Sequence, residues 1–155
     1  MIVRRATPDD IPALLALVEQ YWQFERLAGF EPAALRAALE HLLSTPAMGA
    51  VWLASEAQRS LGYLILVYVF SLEHRGMTAE IDEFFVVPQH RASGIGSQLL
   101  RVAEAEAGRR GCTNLSLQIS ASNRRARAFY LRYGYSARSE FGLLEKGLRS
   151  LSSSV

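Results

Sequence analysis

From Gln89 to Gly96 the chain reads Gln-His-Arg-Ala-Ser-Gly-Ile-Gly, directly after the apolar run Phe84-Phe85-Val86-Val87 that Pro88 ends. A strand that stops at a glycine-rich turn and then opens a helix leaves main-chain N–H groups without intrahelical acceptors, at the positive end of the helix dipole. Such a turn suits a phosphate or pyrophosphate. Gly94 and Gly96 lack Cβ and let a ligand approach the backbone, while Arg91 adds charge. Two common nucleotide loops are excluded. A dinucleotide fingerprint needs a third glycine at position 99, where Leu99 stands, and a Walker loop needs Gly-Lys-Ser/Thr. On the glycines alone, a turn that merely needs flexible residues competes with the ligand site.

Other residues could move protons. Asp82 and Glu83 are adjacent carboxylates on the run before the loop. Strand alternation puts Asp82 with Phe84 and Val86, and Glu83 with Ile81, Phe85 and Val87, so only one acid faces any cleft unless the strand bulges. Asn123 and Tyr130 are seven apart, which on a helix brings them within about 20° of one face. No metal site is expected, because His41 and His74 lack ligand spacing. Cys112, the only cysteine, has no neighbour that would lower its pKa.

These groups need a framework. Ile2-Val3-Arg4 reads as a strand, and Thr7-Pro8-Asp9-Asp10 as a helix start followed by Ile11, Leu14, Leu15 and Val18 at helical spacing. A second helix runs from Glu31-Pro32 to Thr45-Pro46 with Leu35, Leu39, Leu42 and Leu43 as its stripe. Val51–Ala54 and Gly62–Phe70 form a hairpin, the second strand apolar enough to be covered on both faces. A strand from Glu80 to Val87, a helix from Ser97 to Arg109, a strand from Leu115 to Ser120 and a helix from Asn123 to Tyr133 follow, with two closing strands ending near Leu148. The expectation is an α/β fold in one domain, residues 1–149, with a mixed sheet and a flexible tail at 150–155.

Composition agrees. The 155 residues are 50% hydrophobic and 21% charged, enough for a core of their own. Seventeen basic and fifteen acidic residues leave a net charge of +2, too mild to argue for nucleic acid. The longest apolar run has nine residues, against about 20 for a membrane helix. A soluble, cytoplasmic protein is expected.

The segment Glu83-Phe84-Phe85-Val86-Val87-Pro88-Gln89-x-Arg91-x-x-Gly94-Ile95-Gly96 resembles the coenzyme A motif of the GNAT superfamily of N-acetyltransferases. Asn123-x-x-Ala126-x-x-Phe129-Tyr130-x-x-x-Gly134-Tyr135 is similar to that family's later helix and following strand, and the element order matches from Ile2 to Leu148. The resemblance implies a mostly antiparallel sheet with splayed central parallel strands, helices on both faces, and acetyl-coenzyme A lying in the splay. Phe85 and Val86 would hold its pantetheine arm through their backbones. The amides of Ala92, Ser93, Gly94, Ile95, Gly96 and Ser97, with Arg91, would hold its pyrophosphate. Asn123 would bond the arm's amides, and Tyr130 would protonate the leaving thiolate, a fair match because a phenol (pKa about 10) faces a thiol of about 8–9.

An attacking alkylammonium must first lose a proton, which makes Asp82 and Glu83 the candidate bases. In the polyamine-acetylating branch the first of a similar acid pair is the base, which corresponds here to Asp82, one methylene shorter than the usual glutamate. Arg124, Arg125, Arg127 and Arg132 could meet a 3′-phosphate or merely face solvent. Tyr21, Trp22 and Phe24 could wall an acceptor site, with Glu25 and Glu73 as anchors for a cationic amine; as aromatics they could equally be core. The expected activity is acetyl transfer to a small-molecule primary amine in a ternary complex. The alternatives are transfer to a protein amino group, or a non-catalytic nucleotide-binding module. Homodimers are common in the resembled family, although no interface is legible here.

Overall fold

The computed structural model describes residues 1–148. The domain boundary and tail expected at 149–155 lie outside them. The chain divides into two compact units, Met1–Gln118 and Ile119–Val155.

The first unit holds the sheet. Its elements are β1 (Ile2–Arg5), α1 (Ile11–Glu25), α2 (Pro32–Ser44), β2 (Gly49–Glu56), β3 (Arg59–Ser71), β4 (Gly76–Val86), α3 (Ile95–Arg109) and β5 (Leu115–Leu117), with single 3-10 turns at Pro8–Asp10 and Pro88–His90. The five strands lie in the order β1-β2-β3-β4-β5. All neighbours are antiparallel except β4 and β5, which are parallel and joined through α3. The α/β class and the mixed, mostly antiparallel sheet are those the sequence implies.

Local chemistry explains the entry into α1. Arg4 grips both oxygens of Asp10 at 2.7 Å, and the Thr7 amide donates to the same carboxylate at 2.8 Å. The guanidinium holds Asp10 down to about 2. From there Ile11, Leu14, Leu17 and Val18 of α1 are buried. The core is built on β2 and β3, where Val51 to Ala54 and Tyr63 to Leu66 are nearly inaccessible.

Helices cover both faces. Tyr63 and Tyr68 are five apart on β3, in a stretch whose pairing with β2 is unbroken, so they point to opposite sides. Tyr63 meets Tyr21 of α1, with ring centroids 6.4 Å apart, whereas Tyr68 donates to Glu106 of α3 at 3.4 Å. Glu106 also holds Arg5, Arg109 and Arg110, which ties α3 to β1.

The second unit is smaller. Its helix α4 (Arg124–Arg132) follows the cap residue Asn123, and residues 134–148 contain no strand. This corrects the two expected closing strands. Glycines (Gly142, Gly147) and the charged pair Glu145-Lys146 interrupt the apolar residues here, and Phe141, Leu143, Leu144 and Leu148 are left exposed rather than in a ladder. The strand expected at Leu115–Ser120 is also shorter and ends at Leu117. Among the described residues, no helix is long and apolar enough to cross a membrane.

Candidate active site

A register slip in β4 organises the site. Glu83 pairs with Ile65, but Ile81 pairs with the next β3 residue, Leu66, so Asp82 is an extra residue in the strand. Two residues of β4 therefore oppose one of β3, a β-bulge. Phe84 and Ile81 pair with Leu64 and Leu66, which share the α3 side of β3; Asp82 and Glu83 together face the α1 side. The strict alternation expected from sequence, with Glu83 on the face of Ile81, is broken here. Both acids face one way.

Their environments differ. Glu83 accepts from the indole Nε1 of Trp22 at 2.7 Å on one oxygen and from the hydroxyl of Tyr63 at 2.6 Å on the other. Burial raises its pKa, the two donors oppose that rise, and the neighbouring Asp82 adds to it. Tyr63 is driven far above the usual phenol range by burial and by Glu83, and burial pushes Tyr21 up to about 12. Asp82 keeps contact with solvent, yet the protein around its carboxyl removes enough water to raise its pKa.

The aromatic residues of α1 surround this pair. Tyr21 packs on Phe85 at 6.0 Å between ring centroids, and Trp22 meets Phe30 edge-on at 5.9 Å. The charge of Glu25 reaches Tyr21. Glu73 is not brought into the group. It sits in the turn between β3 and β4, with the β4 segment from Gly76 to Asp82, roughly 20 Å of strand, in between. Sequence reading passed over Tyr63. The available signal was a tyrosine in an otherwise apolar central strand, whose hydroxyl must find a partner.

Beyond the bulge, β5 no longer pairs with β4. The Val87 amide donates to Leu61 O at 2.9 Å, so by antiparallel alternation Phe85 and Glu83 also bond toward β3. The peptide groups of Phe84 and Val86 point the other way, toward β5, but β5 pairs only with Ala79 to Ile81. The strands thus part at the bulge. Phe85, expected to offer its backbone to a ligand, instead gives its main chain to β3 and its ring to the aromatic cluster; Phe84 is the residue with outward peptide groups, a consequence of register that composition does not reveal.

At the far end of this edge lies the loop. Gly94 (φ 88°) caps α3, and Ala92 also adopts a left-handed conformation (φ 65°), which is unusual for a residue with a Cβ. Ser93 is tied down by its hydroxyl, which donates to His90 O at 2.6 Å. The first turn of α3, with Ile95, Gly96 and Ser97, contains no acid, so its dipole end stays positive. Arg91 turns inward, its Nε donating to Val86 O at 2.9 Å. The edge that β5 leaves and the amide-rich loop fit an extended amide-bearing chain that ends in a diphosphate.

In the second unit, Asn123 is the cap of α4 rather than a residue within it, and its Oδ1 accepts from the Ala126 amide at 3.0 Å. Tyr130 is buried, with Phe129 and Tyr135 each 5.3 Å away in edge contact. Arg132 lies over Phe129 and Tyr133, so it is a stacking residue of its own unit. Among the described residues no group of three or more metal-ligating side chains occurs.

A sequence model of the acetyltransferase (GNAT) family matches residues 12–135. The chain is 34% identical over 139 residues to the uncharacterized N-acetyltransferase YhfO of Bacillus subtilis (strain 168), covering 87% of this chain and 89% of that one. It is 41% identical over 75 residues to the aminoalkylphosphonate N-acetyltransferase of Salmonella typhimurium, about half of each protein (48% and 49%). An integron cassette protein crystal structure, from the mobile metagenome of Cole Harbour Salt Marsh, superposes with a TM-score of 0.84 at 29% identity, over 96% of this chain and 91% of that one.

Proposed function

From the premise that this chain belongs to the GNAT acetyltransferase family, we propose that it transfers an acetyl group from acetyl-coenzyme A to a primary amine of a small molecule, by direct attack within a ternary complex. One observation carries the reading. The bulge at Asp82 sets two carboxylates at the head of a strand edge that β5 leaves, and the other end of that edge runs into an amide-rich loop.

Acetyl-coenzyme A supplies an activated thioester when bound. The peptide groups of Phe84 and Val86 on the side that β5 leaves would hold its extended arm as an added strand would, and an N–H there would steady the carbonyl oxygen. The amides from Ala92 to Ser97 hold the pyrophosphate. Asp82 is the base that removes a proton from the acceptor ammonium through water. Its solvent contact and raised pKa support that role, while both oxygens of Glu83 are engaged and make it a fixed partner. By resemblance to the family, Tyr130 would be the acid for the departing sulfur and Asn123 a residue that would bind the arm; both belong to the second unit. Tyr21 and Trp22 wall the acceptor side, with Phe24 and Glu25 further along the same helix.

The test is release of free coenzyme A thiol from acetyl-coenzyme A across a panel of amines, beside calorimetry with coenzyme A. Thiol release with small amines and heat of binding are expected, and Tyr130→Phe should lower kcat while leaving coenzyme affinity in place. No binding heat and no thiol release with folded protein would end the proposal.

A further inference from the structure

Arg91 stands in the loop where a cation would be expected to meet phosphate, yet its side chain is committed elsewhere. Its Nε–H donates to the carbonyl of Val86 at 2.9 Å. Its guanidinium carbon lies 4.7 Å from the ring centroid of Phe24 and 5.5 Å from that of Phe85. Phe24 belongs to the last turn of α1 and Phe85 to β4, so one planar cation touches a helix and a strand at once. Arg91 itself is extended (φ −69°, ψ 153°), and the chain reverses only at Ala92. The side chain therefore runs back along β4 while the amides that follow turn into α3.

We infer that Arg91 is a positioning residue and not a phosphate ligand: it fastens the end of α1 to the edge of β4 that β5 leaves. The inference rests on the transferase reading above. Upstream on the same helix, Tyr21 and Trp22 stand over the carboxylate pair, and the indole of Trp22 must reach Glu83. The clamp fixes how far the acceptor wall stands from Val86, whose carbonyl has a second lone pair for a ligand amide. Lysine cannot replace it, since an ammonium neither stacks as a plane between two rings nor donates from a fixed Nε.

The experiment compares two donors, acetyl-coenzyme A and acetyl-pantetheine, which lacks every phosphate. Arg91→Lys, Arg91→Gln and Phe24→Leu are measured against wild type, with thermal unfolding as the folding control. A clamp gives a rise in acceptor KM of roughly tenfold that is the same for both donors, appears in Phe24→Leu as well, and is not rescued by lysine. A defect confined to acetyl-coenzyme A, or rescued by Arg91→Lys, overturns the inference and makes Arg91 a phosphate ligand. If wild type transfers to no amine, the transferase reading fails, and the clamp is read separately from Trp22 fluorescence in a Trp52→Phe background. Arg91→Gln and Phe24→Leu should each shift that emission, and an unchanged spectrum in both would overturn the clamp.

Discussion

Tyr63 donates its hydroxyl to Glu83 at 2.6 Å, although the two are not opposite each other in the sheet: Tyr63 is registered on Phe85 and Glu83 on Ile65. The bond is diagonal across one face. It persists because burial and the negative neighbour keep the phenol protonated, and therefore a donor. Tyr63→Phe leaves a half-buried carboxylate oxygen without its partner. Thermal unfolding should show a loss of about 1–3 kcal/mol, and kcat should fall as Glu83 shifts against Asp82. Unchanged activity would remove Glu83 from the site's architecture.

On the proposed mechanism, the acid limb of the rate profile should belong to Asp82. Its folded pKa is raised, so the carboxylate that accepts a proton disappears as pH falls through a value above the ordinary aspartate range. The log of kcat/KM should therefore climb with pH through that value and then level off. Asp82→Asn should abolish the limb and lower the plateau at least tenfold, whereas Asp82→Glu should retain it. A profile that keeps its acid limb in Asp82→Asn would assign that limb to another group.

Two carboxylates on one face set a charge preference. An acceptor with a second positive group is attracted to them, and an acceptor with a phosphonate or carboxylate is repelled. We expect kcat/KM for an alkyl diamine to exceed that for an aminoalkylphosphonate by tenfold or more, with the gap narrowing as salt is added. The opposite order would align the chain with its Salmonella relative and require an unrecognised cation in the site.

Two glycines stand where neighbouring strands approach too closely for a Cβ. A Cβ on Gly49 would come within 2.1 Å of Leu66 O, and one on Gly62 within 2.6 Å of Phe85 O. Both obstacles are backbone in a buried strand pair and cannot swing aside. Gly49→Ala and Gly62→Ala should each lower stability by about 1–3 kcal/mol or more. Gly62→Ala should also weaken coenzyme binding, since Gly62 is paired with Val86. Calorimetry and chemical denaturation read the two effects separately.

The framework was legible because its signals are local. The Pro-Asp-Asp entry to α1, the stripe of α2, the apolar hairpin of β2 and β3 and the glycine-rich turn that opens α3 each follow from neighbours in sequence. The site was only half legible. Asp82, Glu83, Tyr21 and Trp22 were named from their chemistry, but a β-bulge is a property of pairing, and one strand read alone shows only alternation. Arg91 misleads for the same reason. Its place in the loop suggests a phosphate, and only the tertiary approach of Phe24 shows where the guanidinium goes. The closing strands expected after Gly134-Tyr135 failed in the other direction: residues 134–148 form no ladder, and Phe141, Leu143 and Leu144 stay exposed.

β5 pairs with β4 through three residues, Leu115 to Leu117. Past them the sheet is a zipper left half fastened, with the peptide groups of Phe84 and Val86 on the side that β5 has left. A guest that lies along this edge finishes the zipper, so its occupancy is recorded in the melting temperature of the whole unit and in the slowed exchange of two amides.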